Sequence, residues 1–385
     1  MGTNKRKGIS LIVLVITIIV MIILATAIIL SLTNSGIIGK ANKAKAESDK
    51  ANLKEYVNTL QAEWELMTEA ERGNQTFEQY ANSKLEEKGY SKAAVGADGE
   101  VYSNLNESAK TAVVAGIKVG DTVTGYTVTT KSYTTSGNEN TALSYRETDP
   151  TPQTINADTT VTWKYIGIGE DGSLEIAAEV TSSSPKMKLS GKGGYLNGPA
   201  ELNKACAKLY SVEGKGTAKS MNIDHVTRIL GYTGEKGAYY DAKDYNVNYV
   251  ATSTPMTIGE IETNLGTTVG GGETPDEKDI KTYKSDYYII YKTDDVKEMQ
   301  NAGNVGLVYG TTTYWLASSC VYASLLDHYA YFGVRSVGST RVDAYDMFHS
   351  GGTSTGYAYA LRPIVSLASN IQIVAGADAG TWTVN

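Results

Sequence analysis

Residues 9–32, ISLIVLVITIIVMIILATAIILSL, carry no charged side chain. As helix these 24 residues span about 36 Å, enough to cross a hydrocarbon core of about 30 Å. Lys5, Arg6 and Lys7 stand directly in front. The positive-inside rule therefore puts the N-terminus in the cytoplasm and everything after Leu32 outside. A cleaved secretory signal has an apolar region of only about 7–15 residues, and a buried core helix would not stay free of charge for so long.

Beyond Leu32 the helix is expected to continue. Asn34-Ser35-Gly36 is a soft spot, because glycine costs about 1 kcal/mol inside a helix. Leu53, Tyr56, Val57, Leu60, Trp64 and Met67 then recur at spacings of three and four, which predicts one amphipathic helix ending at Gly73-Asn74. A short helical piece is expected around 76–88. From about Ile117 the pattern turns to strands. IKVGDTVTGYTVTTKSYTT alternates Thr, Val and Tyr with polar residues, 138–160 reads as a long hairpin loop, and 161–180 reads as a hairpin around Glu170-Asp171-Gly172. GPAELNKACAKLYS (198–211) reads as a helix, with Leu202, Ala205, Cys206 and Leu209 on one face. NIDHVTRILG reads as a second short helix with Asn222 or Asp224 at its N-cap. A loop over 266–279 precedes a strand over 283–293. The chain is thus expected to be α+β: a long N-terminal helix, then mixed antiparallel strands with two short helices. Its predicted parts are a leader (1–8), a helix (9–72) with its membrane half at 9–32, a connector (73–116) and an outer domain (117–385).

The chain has 385 residues, formal charge −7, 27 Tyr and only 3 Phe. An acidic balance argues against a nucleic-acid partner, which needs basic faces. A tyrosine excess suits wet binding surfaces better than cores. Two cysteines cannot build a four-thiolate zinc site or a disulfide framework. Outside the membrane, a Cys206–Cys320 disulfide is the expectation. It would close a loop of more than a hundred residues and stabilise by about 4–5 kcal/mol in the chain-entropy model. His225 is expected on a helix surface. His328 and His349 have no metal-site spacing, and no phosphate loop or nucleophile–base–acid set emerges. No cofactor and no catalysis are expected.

The junction Lys7-Gly8-Ile9-Ser10-Leu11-Ile12 resembles the leader of type IV pilins and pseudopilins. The resemblance implies cleavage after Gly8 by a prepilin peptidase and methylation of Ile9 as the mature first residue. Two departures are visible: Ile9 stands where Phe is usual, and Val13 stands at the fifth mature position, where major pilins carry Glu. Handling by pilus assembly machinery is implied for a processed chain; a permanent signal anchor is the alternative.

The most informative stretch is 301–371. Lys, Glu and Gln make up 58 residues of the whole chain, so about eleven belong in this window, and it contains none. Burial would not exclude these three while admitting Asp327, Asp343, Asp346 and three arginines. Exchange of adenines in AAC or AAT codons would, since its products include Asn, Asp, Ser, Gly, Thr, Tyr, His, Ala, Arg, Leu and Phe, but never Lys, Glu, Gln or Trp. The segment 314–367 resembles the variable region of diversity-generating retroelement target proteins. That resemblance implies a C-type-lectin-like fold related to formylglycine-generating enzymes, with Tyr314-Trp315-Leu316-Ala317-Ser318 and Leu361-Arg362-Pro363-Ile364-Val365-Ser366-Leu367 as scaffold. An ordinary Tyr/Ser/Gly-rich β surface is the alternative, and the enzyme's redox activity is not carried over to the cysteines.

Phe332 and Val334 alternate with Tyr331 and Gly333, so one side of a strand can anchor while the other varies. The contact candidates are the tyrosines Tyr322, Tyr329, Tyr331, Tyr345, Tyr357 and Tyr359, the charged Asp327, Arg341, Asp343 and Asp346, and Leu325, His328, Ser336, Phe348 and His349. Tyrosine offers large amphipathic area at low rotamer cost, as in antibody paratopes. The expectation is a non-catalytic receptor or adhesin at a bacterial cell surface, taking a protein or glycan ligand on another cell or a phage. The alternative is a structural minor pilin with a fixed decorative domain.

Overall fold

A computed structural model describes residues 37–135, 152–234, 246–247, 255–257, 260–261, 289–323, 329–351 and 355–385. The apolar run 9–32, the Gly8–Ile9 junction, and Leu325, Asp327 and His328 lie outside them. Among the described residues no helix is long and apolar enough to cross a membrane. The chain forms two compact units, 1–90 with 101–103, and 91–100 with 104–385.

In the first unit, helix α1 (Ile37–Leu66) buries Leu53, Val57, Leu60 and Trp64, the expected stripe. It ends six residues before the expected Arg72, because Thr68 and Glu71 form a capping box that opens a separate turn, Glu69–Arg72. Arg72 folds back and donates to Trp64 O at 3.0 Å and Glu65 O at 2.9 Å, satisfying carbonyls that the helix end leaves open. Helix α2 (Phe77–Glu87) is capped by Thr76 and Gln79. Its Phe77 and Tyr80 rings lie 6.4 and 5.3 Å from Trp64.

The second unit is α+β, with mostly antiparallel strands. It begins earlier than the expected residue 117: helix α3 (Glu107–Ala115) belongs to it, held by Ser108 Oγ to Ser369 O at 2.9 Å and by Asn106 N–H to Gly172 O at 2.9 Å. Strands β1 (Thr122–Thr124), β2 (Ser132–Thr134) and β3 (Thr154–Asn156) follow. β2 and β3 pair with each other, so 154–156, expected inside the loop 138–160, is a strand instead. β4 (Trp163–Ile168) and β5 (Leu174–Ala178) form the expected hairpin. Its turn needs Gly172, which has φ +79°, and a Cβ there would lie 1.8 Å from Asn104 O.

Next come β6 (Lys186–Ser190), α4 (Gly191–Tyr210), β7 (Gly216–Ser220), α5 (Ile223–Leu230) and β8 (Ile290–Tyr291). β8 is the described end of the strand expected at 283–293. The C-terminal strands are β9 (Tyr314–Ala323), β10 (Ala330–Val337), β11 (Arg341–His349), β12 (Gly356–Ala360), β13 (Pro363–Leu367), β14 (Ile373–Ala375) and β15 (Thr381–Val384). One sheet runs β14-β15-β1-β4-β5-β13-β7 and the other β8-β11-β10-β9-β12-β6. A core of α5, Met299, Val308, Tyr309 and the inner residues Ile166, Tyr314, Leu316, Val337, Val342 and Ile364 joins the two.

Helix α4 begins seven residues before the expected 198 and carries Pro199 in its interior. Its early glycines permit a close approach to the sheet: a Cβ on Gly194 would come within 3.2 Å of Met347 Sδ and of the Leu189 backbone. Pro199 lacks the N–H that would bond the carbonyl of Tyr195, four residues back. Ser319 Oγ, from β9, donates to that carbonyl at 3.2 Å. The helix defect is thus satisfied by the sheet beneath it.

Ser319→Ala is therefore expected to destabilise the protein by about 1–3 kcal/mol through an unpaired buried carbonyl. In a Pro199→Ala background, where the helix supplies its own N–H, the same substitution should cost much less. Urea unfolding of the double-mutant cycle measures the difference.

Candidate functional site

The two framing stretches of the 314–367 segment meet. Ala360 N–H donates to Thr313 O at 3.1 Å, and Tyr314 lies in parallel register with Ala360. The Arg362 guanidinium, 5% exposed, donates from Nη1 to Tyr314 Oη at 2.6 Å and Val308 O at 3.3 Å, and from Nε to Ala178 O at 3.2 Å. It also reaches Leu307 O and lies 4.7 Å from the Tyr314 ring centroid. Residues 315–359 are consequently an excursion whose two ends are tied together.

Within the excursion β10 pairs with β9 and β11. Tyr195 of α4 sits edge-on over Phe332 and Phe348 at 5.3 and 5.9 Å, and those two rings stack at 4.6 Å with 1° between their planes. Phe332 and Val334 are fully buried on this helix-facing side, as the alternation predicted. Tyr331 and His349, directly opposite in register, share the other side, with rings 5.3 Å apart. Tyr329 lies 5.5 Å from His349. His349 Nδ1 accepts from Gly351 N–H at 3.0 Å, which leaves the ring proton on Nε2. A Cβ on Gly351 would lie 2.8 Å from the His349 ring and 2.9 Å from that of Tyr329. No sequence signal marks this supporting role of Gly351.

A bulge between Phe332 and Gly333 adds one residue to β11, so Phe332 faces Phe348 but Gly333 faces Asp346. Asp346 therefore shares the face of Tyr331 and His349, whereas Tyr345 and Asp343, opposite Val334 and Ser336, fall on the helix side. Tyr345 lies 4.7 Å from Tyr357 and 5.1 Å from Tyr359, and Trp315 lies 4.7 Å from Tyr359. Trp315 is fixed by its Nε1–H to Met187 O at 2.8 Å. Burial, with the hydrogen bond to Tyr345, pushes the Tyr359 phenol above its ordinary pKa. Arg341 Nε pairs with Asp343 Oδ2 at 2.7 Å.

The fifteen candidates thus do not form one surface. Tyr329, Tyr331, Asp346 and His349 make one half-buried patch, with Tyr322 opposite Tyr331 in the backbone register. Tyr345, Tyr357, Tyr359, Asp343 and Arg341 make a second. Two candidates are corrected: Phe348 and Ser336 are 0% and 1% exposed, because they share the helix-facing side with Phe332 and Val334. Ser336 Oγ has no hydrogen-bond partner among the described residues.

The expected disulfide is not formed. Cys206 and Cys320 are free and wholly buried, Cys206 on α4 and Cys320 on β9, opposite Gly333 in the register. Burial pushes their thiols up to about 12 and about 11. His225, expected on a surface, is 5% exposed, with its Nε2 3.7 Å from Glu175 Oε1; its helix buries more of its circumference than the sequence pattern implied. Among the described residues no group of three His, Cys, Asp or Glu side chains is placed to hold a metal ion. Comparison with protein-family models, curated proteins and solved structures returns no match.

Both thiols should resist iodoacetamide in the folded protein and react fully once it is denatured without reductant, since the protonated buried thiol is a poor nucleophile. Mass spectrometry counts the adducts; a denatured protein that stays unmodified would instead hold the bridge.

Proposed function

We propose that this chain is a non-catalytic ligand-binding protein displayed at a bacterial cell surface. A pilin-like N-terminal helix carries a C-type-lectin-like domain whose segment 314–367 is diversified by adenine mutagenesis. Prepilin peptidase and pilus assembly machinery are the partners if Gly8 is cleaved; otherwise residues 9–32 anchor the chain in the membrane. The ligand is a protein or glycan on another cell or a phage.

The observation that carries this reading is that the tied excursion lies wholly within the depleted segment. Residues 301–371 contain no Lys, Glu or Gln, and the stretches that Arg362 and Tyr314 tie together both fall inside that window. An excursion closed at its base can change residues without shifting the scaffold. Its tyrosine patches supply rigid amphipathic contact area, the chemistry of paratopes rather than of turnover.

Deep sequencing of codons 314–367 in many cells of one lineage, with codons 163–300 as control, tests the reading. Substitutions should concentrate at Tyr329, Tyr331, Tyr345, Asp346, His349, Tyr357 and Tyr359, in codons derivable from AAC or AAT, and spare Phe332, Val334 and Arg362. A segment as quiet as the control would favour a fixed adhesin or a minor pilin with a decorative domain.

A further inference from the structure

Glu175, the second residue of β5, has 1% of its surface exposed. A lone carboxylate there would be costly, and basic groups from two other elements reach it. Lys219 Nζ of β7 lies 3.0 Å from Oε1, and His225 Nε2 of α5 lies 3.7 Å from the same oxygen. Arg228 of α5 pairs with Oε2 and also donates to Ile168 O at 2.9 Å. Ser366, opposite on β13, directs its hydroxyl to Oε1 at 3.5 Å. The acid of the β4–β5 turn, Asp171, is engaged by the Ser173 N–H and hydroxyl at 3.0 and 2.6 Å. Asp224, next to His225, is exposed.

His225 has a second task. Its Nδ1 accepts from Asn222 N–H at 3.2 Å, while the Asn222 side chain accepts from His225 N–H at 3.1 Å. This is a capping box with histidine in the place usually held by Glu or Gln. The bond requires Nδ1 to be unprotonated. A proton added to Nδ1 would face the Asn222 N–H donor to donor, and would add a buried third cation beside Glu175, to Lys219 and Arg228, which reach solvent. The capped turn is also stitched to the start of the excursion: Ile223 N–H donates to Ser318 Oγ at 3.0 Å, and Ala317 N–H to Met221 O at 2.7 Å.

We propose that His225 is a proton-operated latch: neutral, it closes the cap of α5 and holds that helix on Glu175; protonated, it opens the turn 221–226 and releases its stitches to Ala317 and Ser318. The latch works independently of what the tyrosine patches bind. Burial holds His225 below its ordinary pKa, outweighing the neighbouring Glu175. The unfolded or opened state therefore takes the proton first, and closure is lost as pH falls below about 6.5. Burial alone would raise Glu175, but His225, Arg228 and Lys219 together hold it well below the usual carboxylate range. It stays ionised in this window.

Hydrogen exchange of the full chain between pH 7.5 and 5.0, corrected for intrinsic rates, tests the latch. Amides 223–226 and 317–318 should lose protection by up to about tenfold per pH unit below pH 6.5, while the centre of β13 keeps its own. His225→Gln, which retains the capping acceptor without titrating, should remove that pH dependence. An unchanged slope in His225→Gln, or an equal loss throughout the sheets, overturns the proposal. Should that variant fail to fold, imidazole nitrogen shifts of the wild-type chain decide instead. His225 titrating in step with the loss of amide protection supports the latch; titration with the α5 amides unmoved overturns it.

Discussion

The buried guanidinium of Arg362 is the point on which the second unit depends. It sits between β12 of one sheet and β13 of the other, and its donors reach the end of β5, the turn at Leu307 and Val308, and the Tyr314 hydroxyl at the start of β9. A lysine could not serve these acceptors at once, since only the planar fork presents several donors in fixed directions. The two sheets, the base of the excursion and the core around α5 are therefore registered by one side chain. Everything between Trp315 and Tyr359 is built outward from that point.

The excursion in turn divides its residues by face. α4 presses on one side of β10 and β11 through Tyr195, the stacked Phe332 and Phe348, and glycines that let the helix lie close. The opposite side carries Tyr331, Asp346 and His349 at one end, half-buried, whereas Arg335, Val337 and Val342 farther along it are buried, the two valines in the core around α5. This separation of packing from display is what the proposed receptor function requires: the rigid layer fixes the strands, and side chains across the sheet vary at little cost to the fold. The second patch, Tyr345, Tyr357 and Tyr359, differs in kind, because its rings rest on Trp315.

Much of this was legible beforehand. The stripe Leu53, Val57, Leu60 and Trp64, the hairpin at Gly172, and the anchoring of Phe332 and Val334 all follow from periodicity and turn chemistry. Other features had no local signature. The first turns of α4 fall outside the helix expected from 198, because glycine is a poor helix former, yet tertiary packing selects it there. The bulge at Phe332/Gly333 shifts the parity of β11, so Asp346 and His349 share one side while Tyr345 and Phe348 share the other, which no local pattern announces. His225 is read as a surface residue from the sequence because its buried partner, Glu175, lies fifty residues earlier, on a strand. The run 9–32, the strongest single feature of the sequence, lies outside the described residues, so the membrane and pilin readings rest on the sequence.

The central claim is the division of the excursion into an anchored and a free face, and a proteolysis-based stability scan of every substitution at positions 329–349 tests it most directly. The account predicts that Phe332, Val334 and Phe348 tolerate almost nothing, with losses of about 3–5 kcal/mol for Phe→Ala. Tyr331, Asp346 and His349 should accept Ser, Asn, Asp, Gly or Tyr within about 1 kcal/mol, in the range of ordinary surface substitutions. Equal intolerance on both faces would make Tyr331 and His349 core residues and contradict the account.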